Sequence, residues 1–212
     1  MADAKTKRKR SRGQDRARDR ILNTASELFT RDGIRVTGVD ALIEQAGVAK
    51  ATFYRHFPSK DALVMAWLLS RDARWIDWVK ERQERPTAPP IRRLVDFWDL
   101  LGDWMEDHDF TGCPFLNTLT EIRDRDHPAR REISSYVGEV EDYLARTATE
   151  AGVPEPEEFA TRLRALAMGS CVAFANEGTR DPVATARAAT VDLLASQLGT
   201  TRQQIEGMIR AS

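Results

Sequence analysis

Apolar residues recur along this chain at helical spacing. Ile21, Leu22, Ala25, Leu28 and Phe29 form one stripe, which predicts a helix from about residue 15. Gly33 stands where such a helix would close in the left-handed conformation. Thr37 opens "TGVDALIEQAG". Its hydroxyl is expected to cap the amide three residues on, with Asp40 in the reciprocal position of a capping box. Val39, Leu42, Ile43 and Ala46 give this second helix its inner face, and Gly47 breaks it. A third short helix is predicted over roughly 49–56, with Phe53 and Phe57 on one side. Pro58 stops it, and Ser59 can cap the next. Leu63, Val64, Trp67, Leu68, Trp75, Trp78 and Val79 then keep helical spacing to about residue 85, a length of roughly 37 Å. "RPTAPP" interrupts the pattern. Beyond it come a helix over "IRRLVDFWDLLGDWMED", a loop around "HDFTGCPFLN", and helices near 128–150, 157–177 and 182–198. A last short helix near 203–210 is expected to be capped by Thr201. No segment alternates with a period of two and no repeat of fixed period is present, so the predicted fold class is all-α.

Charge divides the chain more sharply than composition does. The net charge of −1 hides an asymmetry: residues 1–60 hold 14 Lys+Arg against 7 Asp+Glu, and residues 61–212 hold 18 against 26. A basic head on an acidic body implies that the head alone meets a polyanion. Three parts are expected: a basic flexible arm at 1–14, a small helical domain at 15–62 and a larger helical domain at 63–212. The arm carries Lys5, Lys7, Arg8, Lys9, Arg10 and Arg12. It is either a solvated tail or an added contact to phosphates or a minor groove.

With 42% apolar residues and no run of about 18 of them, the chain reads as a folded cytoplasmic protein without a membrane span. Its two cysteines, Cys113 and Cys171, make no disulfide framework. Scattered histidines and the lack of CxxC or HExxH spacing give no ground for a metal or other cofactor.

The helices at 37–46 and 49–56, joined through Gly47, have the form of a helix-turn-helix. Phe53 and Phe57, four residues apart, would face inward with Val48. Lys50, Ala51, Thr52, Tyr54, Arg55 and His56 are left at or near the outer face. That set suits DNA. Lys50 and Arg55 can donate to guanine O6 and N7, and Ala51 and Thr52 can approach a thymine methyl. Tyr54, His56 and Lys60 can donate to phosphate oxygens, which fix register without reading sequence. The helix N-termini at Thr37 and Ser59 favour anions.

The stretch "ILNTASELFTRDGIRVTGVDALIEQAGVAKATFYRHFPSKDALV" (21–64) resembles the DNA-binding domain of the TetR family of bacterial transcriptional regulators. The resemblance lies in "A-x-x-L-F-x-x-x-G", the Thr opening the second helix, and "F-Y-x-H-F-x-x-K-x-x-L". By position, it implies base contacts from Lys50, Ala51, Thr52 and Arg55, and phosphate contacts from Thr37, Tyr54, His56 and Lys60. One departure is Ala49, where the family often has Ser or Thr. Alanine cannot cap the recognition helix, a loss of about 1 kcal/mol. The resemblance further implies a homodimer that binds a palindromic operator in double-stranded DNA, usually as a repressor. The helical domain after about residue 66 would then bind a small-molecule effector and dimerise.

In that second half all five tryptophans fall between Trp67 and Trp104. They make either a plain core or an aromatic wall to a ligand pocket. "TGCPFLNTLTEI" supplies polar groups and resembles the "G-C-x-x-x-N" segment of some TetR-like regulators. The candidate pocket residues are Trp98, Leu101, Met105, Phe115, Asn117, Glu121 and Phe174. The candidate dimer interface is Leu163, Leu166, Ala167 and Ser170 with Ala186, Ala189, Thr190 and Leu193, since small residues on two long helices allow a two-fold four-helix contact.

Two other functions compete. A thiol-based redox switch on the same scaffold would use Cys113 and Cys171, though neither has a basic neighbour in sequence. An enzyme would need His108, Asp109, Glu121 and His127 to assemble, but their spacing fits no hydrolytic motif. The chain is therefore expected not to be an enzyme.

Overall fold

The computed structural model describes residues 2–83, 88–107, 110 and 112–211, with side chains excepted at 2–15, 72–74, 76–83 and 107. The side chains of the basic arm, Trp78, Val79, the first half of "RPTAPP", His108 and Asp109 lie outside the described residues. The described residues form ten helices and no strand. They are α1 (Ala2–Asp32), α2 (Val39–Ala46), α3 (Lys50–His56), α4 (Lys60–Gln83), α5 (Pro90–Asp107), α6 (Pro114–Glu121), α7 (Pro128–Glu150), α8 (Pro156–Glu177), α9 (Asp181–Gln197) and α10 (Arg202–Arg210).

Several boundaries follow the local chemistry. Gly47 closes α2 at φ 61°, its N–H bonding back to the carbonyls of Ile43 and Glu44. Ser59 Oγ accepts the Ala62 N–H at 3.1 Å and starts α4. Thr201 and Gln204 form a reciprocal capping box on α10.

Three expectations need correcting. Helical backbone in α1 takes in residues 2–14, because Ala, Lys, Arg and Gln propagate a helix and no proline interrupts them. The residue flanking α2 is Gly38, with no side-chain cap. Thr37 instead is 5% exposed, and its hydroxyl donates back to the Gly33 carbonyl at 2.7 Å. Finally, the segment read as loop contains α6. Pro114 opens that helix rather than breaking one, since the first helical position needs no N–H donor.

The chain divides into two compact units, Met1–Asp72 with Asn117–Ile133, and Ala73–Leu116 with Ser134–Ser212. This grouping differs from a division at residue 62, because the end of α6 and the start of α7 join the first unit. In the first unit α1 packs on α2 and α3. Ile21, Ala25, Leu42, Phe53, Leu63 and Leu68 are fully buried, and Phe29 meets Trp67 edge-on at 5.3 Å. Burying one such side chain contributes about 1.5–3 kcal/mol, so Phe53→Ala alone would cost several kcal/mol.

In the second unit α9 packs against α5, α8 and α10. Trp98 is wholly buried there, and its indole N–H donates to Thr190 Oγ1 at 2.8 Å. Trp75 and Trp104 meet edge-on at 5.3 Å. Arg180 reaches the Asp103 carboxylate at 2.8 Å and the Asp99 carbonyl at 3.1 Å. Gly102 leaves room for it, since a Cβ there would collide with the guanidinium.

Candidate nucleic-acid interface

Two phenylalanines set the orientation of α3. Phe53 is 0% and Phe57 2% exposed, and their rings lie 6.2 Å apart. Holding that face inward turns Lys50, Ala51, Tyr54 and Arg55 to the exterior, with Thr52 and His56 at the border. The exposed set has the spacing of one helix face. Ala49 flanks α3 in an extended conformation and offers no side-chain cap, as its identity requires.

Around this face the structure adds detail that sequence alone did not supply. Lys50 Nζ lies 3.4 Å from the Asp40 carboxylate, both strongly exposed. Such a pair is worth little and gives way to a competing anion. Arg18 of α1 stacks over the Phe57 ring at 5.6 Å, an exposed cation beside the end of α3. Lys60 is half-buried. Burial pushes its ammonium below the ordinary lysine range, while Glu121 and Asp61 push it back up.

Two of the expected phosphate contacts change. The Thr37 hydroxyl is spent on the Gly33 carbonyl inside the first unit, so it does not face solvent. His56 is half-buried, and its Nε2 is covered and without a hydrogen-bond partner. Its ring tilts against Phe57 at 6.4 Å, which accounts for the orientation.

Glu121 also sits where the sequence did not put it. Its carboxylate accepts the Arg35 N–H at 2.6 Å, in the turn between α1 and α2. It also approaches Gly33, whose φ of 91° shapes the same turn. Arg130 donates to the carbonyls of Leu119 and Ile122 at 2.9 Å and so holds the C-terminal end of α6. Asn117 is exposed in the same unit. The other pocket candidates lie in the second unit. Trp98, Leu101, Met105 and Phe174 belong to one buried cluster, while Phe115 is buried against Tyr136, the rings stacked at 4.0 Å.

The dimer candidates split by face. Leu163, Ser170, Ala186 and Thr190 are buried within the chain itself, so they are core. Leu166, Ala167, Ala189 and Leu193 remain partly open. A groove of about 670 Å³ runs along α8 and α9, lined by Arg162, Ala165, Leu166, Ala189, Asp192 and Leu193. Nearby Val172 is 62% exposed.

Among the described residues no three His, Cys, Asp or Glu side chains are disposed to hold a metal ion. No described helix is long and apolar enough to cross a membrane.

Comparison with known proteins bears on this geometry. The sequence profile of "Bacterial regulatory proteins, tetR family" matches residues 21–66, and that of "Tetracyclin repressor-like, C-terminal domain" matches residues 90–190. The chain is 32% identical to the HTH-type transcriptional activator FasR of Mycolicibacterium smegmatis over 47% of its own length and 44% of that protein's. It is 28% identical to the HTH-type transcriptional repressor KstR of the same organism over 70% of its own length and 71% of that protein's. For several curated relatives the chain therefore spans less than two thirds of their length, as with UidR of Escherichia coli at 29%. Among solved structures, the TetR-family regulator SCO4454 of Streptomyces coelicolor superposes with a TM-score of 0.73 at 26% identity, covering 93% of this chain and 96% of that one. A tetr-transcriptional regulator (sav143) of Streptomyces avermitilis also gives 0.73, at 28% identity over 87% and 99% of the two chains.

Proposed function

Because the chain belongs to the TetR family of transcriptional regulators and carries its helix-turn-helix DNA-binding domain, we propose that it acts as a homodimeric, effector-released repressor of a palindromic operator. The observation that carries this reading is the polarity of α3. Phe53 and Phe57 anchor it, and Lys50, Ala51, Tyr54 and Arg55 present donors and a small apolar contact on one exposed face. Lys50 and Arg55 read guanine edges, Ala51 and Thr52 meet a thymine methyl, and Tyr54 and Lys60 hold phosphates. Arg18 joins them as a further cation.

Two such heads need a dimer. The open face of α8 and α9 supports one, since it combines small residues with Leu166, Leu193 and the exposed Val172. Two-fold pairing would place the recognition helices one turn of DNA apart, about 34–36 Å. Repression is favoured by the relative matched over most of its length, which is named a repressor, whereas the activator is matched over less than half. We assign an apolar effector to the second unit, where Trp98, Met105 and Phe174 share one buried cluster and Phe115 is buried against Tyr136. Such a ligand acts only by binding the DNA-free and DNA-bound states differently. The setting is the cytoplasm, where the operator is.

Selection of bound duplexes from a random pool tests the proposal. The expected product is a palindrome with half-site centres one helical turn apart. Enrichment of a single asymmetric half-site, or of nothing, would refute it.

A further inference from the structure

The sequence casts Asp40 as the partner of Thr37 in a capping box, and the structure releases it from that role. The Thr37 N–H, which such a box would leave to the Asp40 carboxylate, donates to the Gly33 carbonyl at 3.3 Å. Gly38 flanks α2 without a side-chain cap. Asp40 reaches toward α3 instead, where its Oδ1 accepts from Lys50 Nζ at 3.4 Å. The two side chains are 89% and 67% exposed, so burial does not force them together. Leu42 and Ala46 are the buried residues of α2, and Asp40 stands on its open surface.

Lys50 is the first residue of α3. In a helix-turn-helix the N-terminal residues of the second helix meet base edges in the major groove. A carboxylate 3.4 Å from the Lys50 ammonium comes to the same edges. An anion there is costly unless a donor meets it. Cytosine N4 is the donor that suits an aspartate, as guanine O6 and N7 suit a lysine.

The spacing fits one base pair. Guanine O6 and cytosine N4 bond to each other across a G·C pair at about 2.9 Å. In the major groove O6 still accepts and N4 still donates. An ammonium and a carboxylate 3.4 Å apart match that acceptor and donor side by side. The guanine edge carries no net charge, so Lys50 can donate to it without giving up Asp40.

We propose that Asp40 is a base-reading residue, which accepts a hydrogen bond from a cytosine N4 amine while Lys50 donates to the guanine paired with it. This deepens the DNA-binding reading above and rests on it. With the pair reversed, the ammonium faces an amine and the carboxylate faces O6, and neither finds a partner. Asp40 thus rejects wrong sequences as well as favouring the right one. A carboxylate in the first turn of α2 also suits the helix dipole. That accounts for the residue type and not for its reach to Lys50.

The test takes the full-length protein and the operator that it selects from random duplexes. Selection is repeated with Asp40→Ala and Lys50→Ala. Both are expected to relax the preference at the same G·C pair of each half-site. N4-methylcytosine is then placed at that cytosine, and affinity is read by fluorescence anisotropy. The modified base should raise the Kd of the wild type about tenfold, an ordinary size for one base contact, and leave that of Asp40→Ala nearly unchanged. An Asp40→Ala protein that selects the wild-type operator unaltered would overturn the proposal. So would relaxation at a different position from Lys50→Ala, or equal sensitivity of both proteins to the modified base. A lower Tm with unaltered selection would leave Asp40 a helix-end charge and also overturn it. If the wild type selects no duplex, the proposed function falls and takes this inference with it. An operator selected alike by wild type and Asp40→Ala removes only the role of Asp40.

Discussion

Replacing Thr37 with valine separates a structural role from a DNA contact at one position. Family resemblance places Thr37 among phosphate-gripping residues, but the structure buries it to 5% exposure with its hydroxyl 2.7 Å from the Gly33 carbonyl. Valine keeps the shape and removes the donor. The lost neutral hydrogen bond is worth about 1 kcal/mol. The Gly33 carbonyl would retain only the Thr37 backbone N–H, at 3.3 Å. In a chain of this size that deficit lowers Tm by roughly 2–4 °C. Thr37→Ser keeps the hydroxyl and should melt closer to wild type. Thermal unfolding by circular dichroism reads the first effect, and operator affinity measured across a salt series reads the second. A structural Thr37 leaves the slope of log K against log salt unchanged. A phosphate contact would instead flatten that slope by about 1. A Thr37→Val protein that melts with wild type and shows the flatter slope would refute the buried-hydroxyl account.

Other substitutions test neighbouring parts of the argument. Lys50→Ala should change which bases are selected at one operator position, at a discrimination cost of about 1–3 kcal/mol. If specificity survives intact, Lys50 does not read bases. Ala49→Ser supplies the missing cap to α3, whose flanking residue already has extended geometry, and should stabilise the protein by about 1 kcal/mol in thermal melts. Leu193→Glu places a charge in the groove along α8 and α9 and should shift the protein to monomer in analytical ultracentrifugation, with operator affinity lost in parallel. A dimer that persists would move the interface elsewhere.

What the sequence made legible was what depends on near neighbours. Ser59 and Thr201 cap because their acceptors and donors lie three residues away. The orientation of α3 was legible because Phe53 and the flanking Phe57 lie four residues apart and so mark one inward face. Thr37 misled because two local bonds compete for one hydroxyl. It can reach forward to cap α2 or back four residues to Gly33, and the left-handed Gly33 makes the second available. In α8 and α9, apolar and small residues occupy both faces, so helical period alone could not separate the core residues Leu163 and Thr190 from the open residues Leu166 and Leu193.

Glu121 failed to show for a different reason. The partner of Glu121 is 86 residues away, and no local pattern marks a carboxylate meant for a distant backbone amide. The same bond explains why the first unit is not a contiguous stretch. Residues 117–133 bring Glu121 to the α1–α2 turn, and they bury Thr118, Ala129 and Ile133 in that unit. A division at residue 62 would strip those buried surfaces and leave the Arg35 amide without its acceptor. The turn that precedes the helix-turn-helix is thus fixed partly by the carboxylate that ends α6.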